Sequence, residues 1–299
     1  MERVAPWLFV VLWSSGFVAA HYSTEDAGPF TFLAVRFALA ASLLWLIAAI
    51  TGAPPISRPQ VTWASIASVG MQVMYLGGVF FAIAHGLPAG LSALIAGLHP
   101  VVTSVAGRWL LGERLRRVQW LGIAVGIAGV VVVVVDKFGD SSHGVSTTAL
   151  IAMIVSVIGI AGGTLVQRAR GGSMPLLRGT AVQYTTAMLV LLVAAIFNEH
   201  WRIRFTGREW FSLGWAVLLL SMGSVLIMLR MLQRESAARV TSLFFLTPAL
   251  SAVEGAILLG EHLAGLTIVG LVISLVGVAL TTRPALPGGL DAAIPALES

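Results

Sequence analysis

The residues of this chain that could do chemistry are few, and they fall on helical stripes. Ser92, His99 and Thr103 share one helix face, and Phe244, Thr247, Ser251 and Glu254 share another, because spacings of three, four and seven return to the same side. Pro100 and Pro248 lie within these stripes, and each frees the carbonyl four residues back, that of Ala96 or Phe244. Such a carbonyl is met either by a neighbouring hydroxyl or by a water or substrate in a cavity. Gln72, Tyr75 and Val79 form a third face, while Gln183 and Tyr184 stand about 100° apart, so one of the two is expected to look inward.

These groups suit reversible hydrogen bonding, stacking and proton exchange rather than covalent catalysis. With no cysteine, thiol catalysis, disulfides and thiolate metal sites are excluded. No loop is rich in glycine and ends in lysine, so the chain does not hydrolyse nucleotide itself. His21 and Asp26 have the His-four-residues-Asp spacing of some acyltransferases, yet no further acid, phosphate cradle or serine–histidine set accompanies them. The expectation is therefore no enzyme, no cofactor and no metal. Candidates to bind a substrate are Trp13, Gln72, Tyr75, Ser92, His99, Thr103, Tyr184, Phe244, Thr247 and Ser251. Pro100, Pro248, Arg36 and Glu254 are candidates for gating or coupling.

Four of these carry alternatives. Arg36 and Glu254 lie at similar depth, about two turns and one turn from the same end of their helices, so either they pair in a gate or a proton path, or each snorkels to headgroups. His99 either titrates and bonds a substrate carboxylate or holds a nearby backbone carbonyl. Trp13 sits away from the helix ends, where Trp7, Trp63, Trp109, Trp120, Trp201 and Trp210 read as an aromatic belt. With Tyr75 it suits an aromatic or apolar side chain, or else packs on glycine.

The elements that position these residues are set by a bilayer. Of 299 residues 58% are hydrophobic and 10% charged, with a mean hydropathy of +0.94, which leaves too little polar surface to cover a soluble domain. Apolar stretches long enough to span about 30 Å of hydrocarbon run at 5–21, 29–50, 61–84, 89–109, 118–135, 147–167, 177–197, 209–230, 237–258 and 264–282. The expected fold is thus an all-α integral membrane protein with ten transmembrane helices. Arg3 before an apolar run ending in Val18-Ala19-Ala20 resembles a signal peptide, but Pro6, Trp7 and Trp13 favour a first helix. Arginines concentrate on alternate connections, such as Arg114, Arg116, Arg117, Arg168, Arg170 and Arg178, which places both termini in the cytoplasm and suits contact with anionic headgroups.

Residues 99–130 and 247–278 repeat each other at a constant offset of 148, with 11 of 32 positions identical, against about 3 for chance in so apolar a composition. Pro100 answers Pro248, Leu110-Leu111-Gly112-Glu113 answers Leu258-Leu259-Gly260-Glu261, and Gly122 and Gly129 answer Gly270 and Gly277. Each copy holds five helices, so the second must be inverted relative to the first around a central cavity, the plan of a secondary transporter. The units are 1–135 and 147–283, followed by a tail, 284–299, expected to be cytoplasmic and disordered. Small residues at 122, 126 and 129, and at 270, 274 and 277, mark helices 5 and 10 as either a static scaffold or a homodimer contact.

Leu12-Trp13-Ser14-Ser15, Pro29 followed by Arg36, and the doubled Pro…Leu-Gly-Glu block resemble the EamA-type family of the drug/metabolite transporter superfamily, and within it the exporters of aromatic amino acids. The resemblance implies a multi-pass carrier of the bacterial inner membrane that exports small metabolites, amino acids above all, by alternating access. Exporters of drugs or nucleotide-type metabolites, and a scaffold or receptor without transport, are the alternatives. Its partners would be a small-molecule substrate and the lipid bilayer, with no nucleic acid. Tyr184 stands opposite Arg36 at the repeat offset, so a symmetric pair of arginines has no part in the mechanism.

Overall fold

In hydrocarbon every backbone polar group must find its partner inside the chain, and long apolar stretches meet that demand by winding into helices. The computed structural model describes residues 5–111, 115–139, 146–171, 174–224, 227, 246–261 and 265–281. The helices are α1 (Ala5–Asp26), α2 (Pro29–Ile50), α3 (Arg58–Ala84), α4a (Ala89–Ala96), α4b (His99–Leu111), α5 (Arg117–Gly139), α6 (Thr147–Arg170), α7 (Leu176–Glu199), α8 (Gly207–Gly214, continued by Trp215–Gly223), α9 (Thr247–Leu258) and α10 (Gly265–Thr281). Among the described residues six helices are long and apolar enough to cross a membrane, with α9 and α10 as shorter apolar helices. Phe244, the start of the stretch at 237–258, Glu113, and both termini lie outside the described residues.

The main helix pairs recur when each helix is exchanged for the one five places on. Helix α2 packs on α7, α4 on α9 and α5 on α10; α3 lies on α6 as α8 lies on α1, and α4 touches α6 as α9 touches α1. This is the signature of two related five-helix halves. The same relation holds atom by atom at the glycines of α5 and α10. A Cβ on Gly122 would lie 2.6 Å from the Gly277 carbonyl oxygen, and one on Gly270 would lie 2.7 Å from that of Gly129. Glycine there lets two backbones touch, which is how helices associate without a hydrophobic driving force. The small faces of helices 5 and 10 thus meet each other within one chain.

Two irregularities shape the middle of the bundle. Val69–Leu76 in α3 and Trp215–Gly223 in α8 are wound wider, as π-helix, and an offset of 148 carries the first onto 217–224. Helix 4 is interrupted between Ala96 and His99, and Pro100 opens the second piece, where its missing N–H costs no bond. The freed carbonyl of Ala96 lies 3.2 Å from Nδ1 of His99. Pro248 opens α9 in the same way, and a Cβ on Gly97 would lie 2.7 Å from its ring, so the break in helix 4 meets the start of α9. At the chain's start, α1 runs five residues past its apolar stretch to Asp26. Hydroxyls of Ser23 and Thr24 bond carbonyls one turn back, and Tyr22 donates to the Leu258 carbonyl at 2.9 Å.

Candidate functional site

A cavity of about 330 Å³ lies between the halves. The wide turns of α3 bring Met71, Gln72, Tyr75 and Leu76 to it, α8 brings Leu220 and Ser224, and α1 brings Trp13, Gly16 and Phe17. Arg36 and Phe37 of α2 face Gln183 and Tyr184 of α7, with the Phe37 and Tyr184 rings 5.0 Å apart between centroids. At one end the lining reaches Gly171, Met174 and Leu176, the connection between α6 and α7.

The opposite end is closed by carboxylates that bridge the halves. Glu199, at the end of α7, accepts from the N–H groups of Phe30 and Thr31 at 2.9 and 2.8 Å and from the Thr31 hydroxyl at 2.7 Å. These are the orphan donors at the start of α2, where the helix dipole favours a negative charge. Gly28 makes the room, since a Cβ there would meet the Glu199 side chain. Glu261 does the same at the start of α4a, accepting from Ala89 and Gly90 at 2.6 and 3.0 Å, beside Gly90 and Gly255. Asp26 accepts from the Thr206 hydroxyl at 2.6 Å and from Arg208 at 3.2 Å, and Arg208 also pairs with Glu25. The Thr206 hydroxyl, then Arg208, hold the Asp26 carboxyl below its ordinary 3.8 against the opposing effect of burial. Main-chain bonds from Gly28 to Arg202 and from Arg204 to Asp26 complete the seam.

The candidate residues divide between two places. Trp13, Gln72, Tyr75, Tyr184 and Arg36 line the cavity, and Val79 follows Gln72 and Tyr75 there, as their common face requires. Ser92, His99, Thr103, Thr247 and Ser251 are not among its lining residues: Ser92, Thr247 and Ser251 belong to the pair α4a and α9, and His99 and Thr103 to α4b, which packs on α6 and α10. Thr103 donates to the His99 carbonyl at 2.7 Å, and Ser251 donates to the Ser14 carbonyl at 3.2 Å. Arg36 and Glu254 do not pair in this conformation. Arg36 donates through Nε to Ser221 Oγ at 3.1 Å, whereas Glu254 accepts from Ser14 at 2.7 Å. The expectation that one of Gln183 and Tyr184 looks inward is corrected: both line the cavity, Gln183 donating to Gln167 Oε1 at 2.8 Å. A cavity that spreads around α7 receives side chains 100° apart.

Sequence reasoning missed Glu199, Gln167 and the buried Glu209, and it read Glu261 only as part of the repeat. Glu209 is 0% exposed in the first turn of α8, where its N–H bonds Thr206 Oγ1 at 3.2 Å. The signal for Glu261 was present: Gly107 and Glu113 repeat as Gly255 and Glu261, the glycine being the space the glutamate needs.

The model of the EamA-like transporter family matches residues 7–135 and again 147–283. The chain belongs to that family. The EamA chain is 24% identical over 278 residues to "Uncharacterized inner membrane transporter YedA" of Escherichia coli (strain K12), covering 91% of this chain and 87% of that protein. It is 25% identical over 288 residues to "Probable amino-acid metabolite efflux pump" of the same organism, covering 92% and 93%. A solved crystal structure shares the fold with a TM-score of 0.64 at 19% identity, covering 93% of this chain and 95% of that one. The doubled match falls on the two halves whose helices exchange, and it makes this EamA protein a membrane transporter.

Proposed function

We propose that the protein is a secondary transporter of the bacterial inner membrane that exports small metabolites of the amino-acid kind by alternating access. The observation that carries this reading is the cavity between the halves, which reaches one end of the bundle while carboxylates bridge the halves at the other. A cavity with access from one side is one state of a carrier, and the exchange of halves generates the other. The arginine bias assigns the 171–176 connection, flanked by Arg168, Arg170 and Arg178, to the cytoplasm, so the conformation faces inward. The amino-acid class is supported by what the efflux pump relatives are named for. In this mechanism α3–α4 and α8–α9 rock against the α5–α10 scaffold and bend where Gly97 meets Pro248.

The test is flux into proteoliposomes, screened over amino acids and their metabolites with and without a pH gradient. Saturable flux that is lost on Tyr75→Ala is the expected result. A folded protein that moves no solute, or flux untouched by Tyr75→Ala, would overturn the reading.

A further inference from the structure

The cavity's described lining carries one full charge, and no described residue balances it. Arg36 is 7% exposed, its Nε donates to Ser221 Oγ at 3.1 Å, and its guanidinium carbon lies 5.5 Å from the Phe37 ring centroid. Neither Nη is bonded to an acceptor among the described residues, and no Asp or Glu is found among the cavity's described lining residues. Arginine stays protonated at any physiological pH, and a buried cation is costly unless something pairs with it. Its planar fork matches a carboxylate, to which it can donate two parallel hydrogen bonds.

We propose that this site takes monoanionic small molecules, a single carboxylate joined to an apolar or aromatic body, with Arg36 as the charge partner. The walls supply the rest of the match. Trp13, Phe17, Tyr75 and Phe80 offer apolar and aromatic surface, while the polar lining groups are neutral amides and hydroxyls such as Gln72 and Thr180. The volume is at the small end for ligand sites and fits one ring with a short acid chain better than a nucleotide. Charge balance then orders the ligands. A monoanion brings the loaded cavity to zero. A zwitterion leaves it at plus one with an ammonium that finds no carboxylate, and a cation adds a second positive charge. Within the amino-acid size class, the deaminated or N-acylated metabolite is the better ligand than the free amino acid.

The inference rests on the cavity being the transport site proposed above, and the experiment separates the two. Binding of 3-phenylpropanoate, phenylalanine and 2-phenylethylamine, which share a ring and chain length and differ in charge, is measured on the full chain in nanodiscs at pH 7. The expected result is that 3-phenylpropanoate binds at least about tenfold more tightly than either of the others. Arg36→Gln should erase that preference and Arg36→Lys should keep part of it. The wild-type comparison stands even if a variant fails to fold. Phenylalanine binding as tightly as 3-phenylpropanoate, no binding of 3-phenylpropanoate, or a preference that survives Arg36→Gln would each overturn the inference. Flux of other solutes with 3-phenylpropanoate excluded would overturn it while leaving transport standing. Tight binding of 3-phenylpropanoate with no flux of any solute would instead overturn transport and leave the anion site.

Discussion

At the closed end each carboxylate acts on backbone donors, a threonine hydroxyl or a single arginine, so the effect of removing one can be argued residue by residue. Glu199→Gln keeps the shape of the side chain but removes the charge that meets the start of α2. Caps of this kind are worth about 1 kcal/mol. Because the chain has no cysteine, Val79→Cys places one thiol in the cavity on a clean background. Its labelling by an impermeant reagent from the 26–29 side should rise several-fold in Glu199→Gln, and unchanged labelling would mean that the clasp does not hold that end. Asp26 adds a pH dependence. Its carboxyl is held below 3.8 when folded, so its clasp contributes fully above that value and is lost as pH falls through the lowered one. Thermal unfolding in detergent should therefore show a loss of stability below about pH 4 that Asp26→Asn removes, with the neutral range unaffected. Residues on a helix face were legible from spacing alone, as Gln72, Tyr75 and Val79 show. Glu199 was not, because its partners are backbone N–H groups 168 and 169 positions away, which have no side-chain signature.

At the scale of elements, glycine spacing told which helices touch, and it failed to tell how helices 3 and 8 are wound. The sequence around Val69–Leu76 has no proline and shares only Val69 and Met74 with Val217 and Met222 at the repeat offset, too little to mark a wide turn, yet its counterpart in α8 is wound the same way. Such turns shift the register of the side chains beyond them, and here they aim Tyr75 from one wall and Leu220 from the other. The α5–α10 seam yields a paired prediction. A methyl on Gly122 or Gly270 presses a backbone carbonyl that cannot yield, so Gly122→Ala and Gly270→Ala should each cost about 1–3 kcal/mol. Gly162→Ala, with nothing within 4 Å, should be neutral or slightly stabilising, and melting of the three variants in one detergent checks the order. The break in helix 4 and the proline that opens α9 make a kinetic prediction instead. Pro248→Ala removes the ring that lies against Gly97 at the proposed bend, so turnover in proteoliposomes should slow while substrate affinity holds; an unaltered rate would remove the hinge from the mechanism.

Over the whole molecule, the two ends of the bundle are related by the repeat offset but are not chemically equal. Adding or subtracting 148 carries Glu261 onto Glu113, whereas Asp26 falls on Met174 and Glu199 on Thr51. Of Asp26, Glu199 and Glu261 at one end, only Glu261 has a carboxylate counterpart in the repeat. A carrier with equal halves would populate its two states equally, so the unequal clasps bias it toward closure at the 26–29 end, the conformation described above. Glu199, a cap worth about 1 kcal/mol, alone gives a bias of roughly fivefold, and Asp26 adds to it in the same direction. The halves become more nearly interchangeable when each surplus clasp is replaced by its counterpart, Asp26→Met together with Glu199→Thr. Spin-label distances across the 26–29 end, taken without substrate, should then change from one dominant short population to two of comparable weight. Each single variant should lie between. A double variant that stays fully closed would show that backbone bonds such as Gly28 to Arg202, rather than the carboxylates, set the resting state.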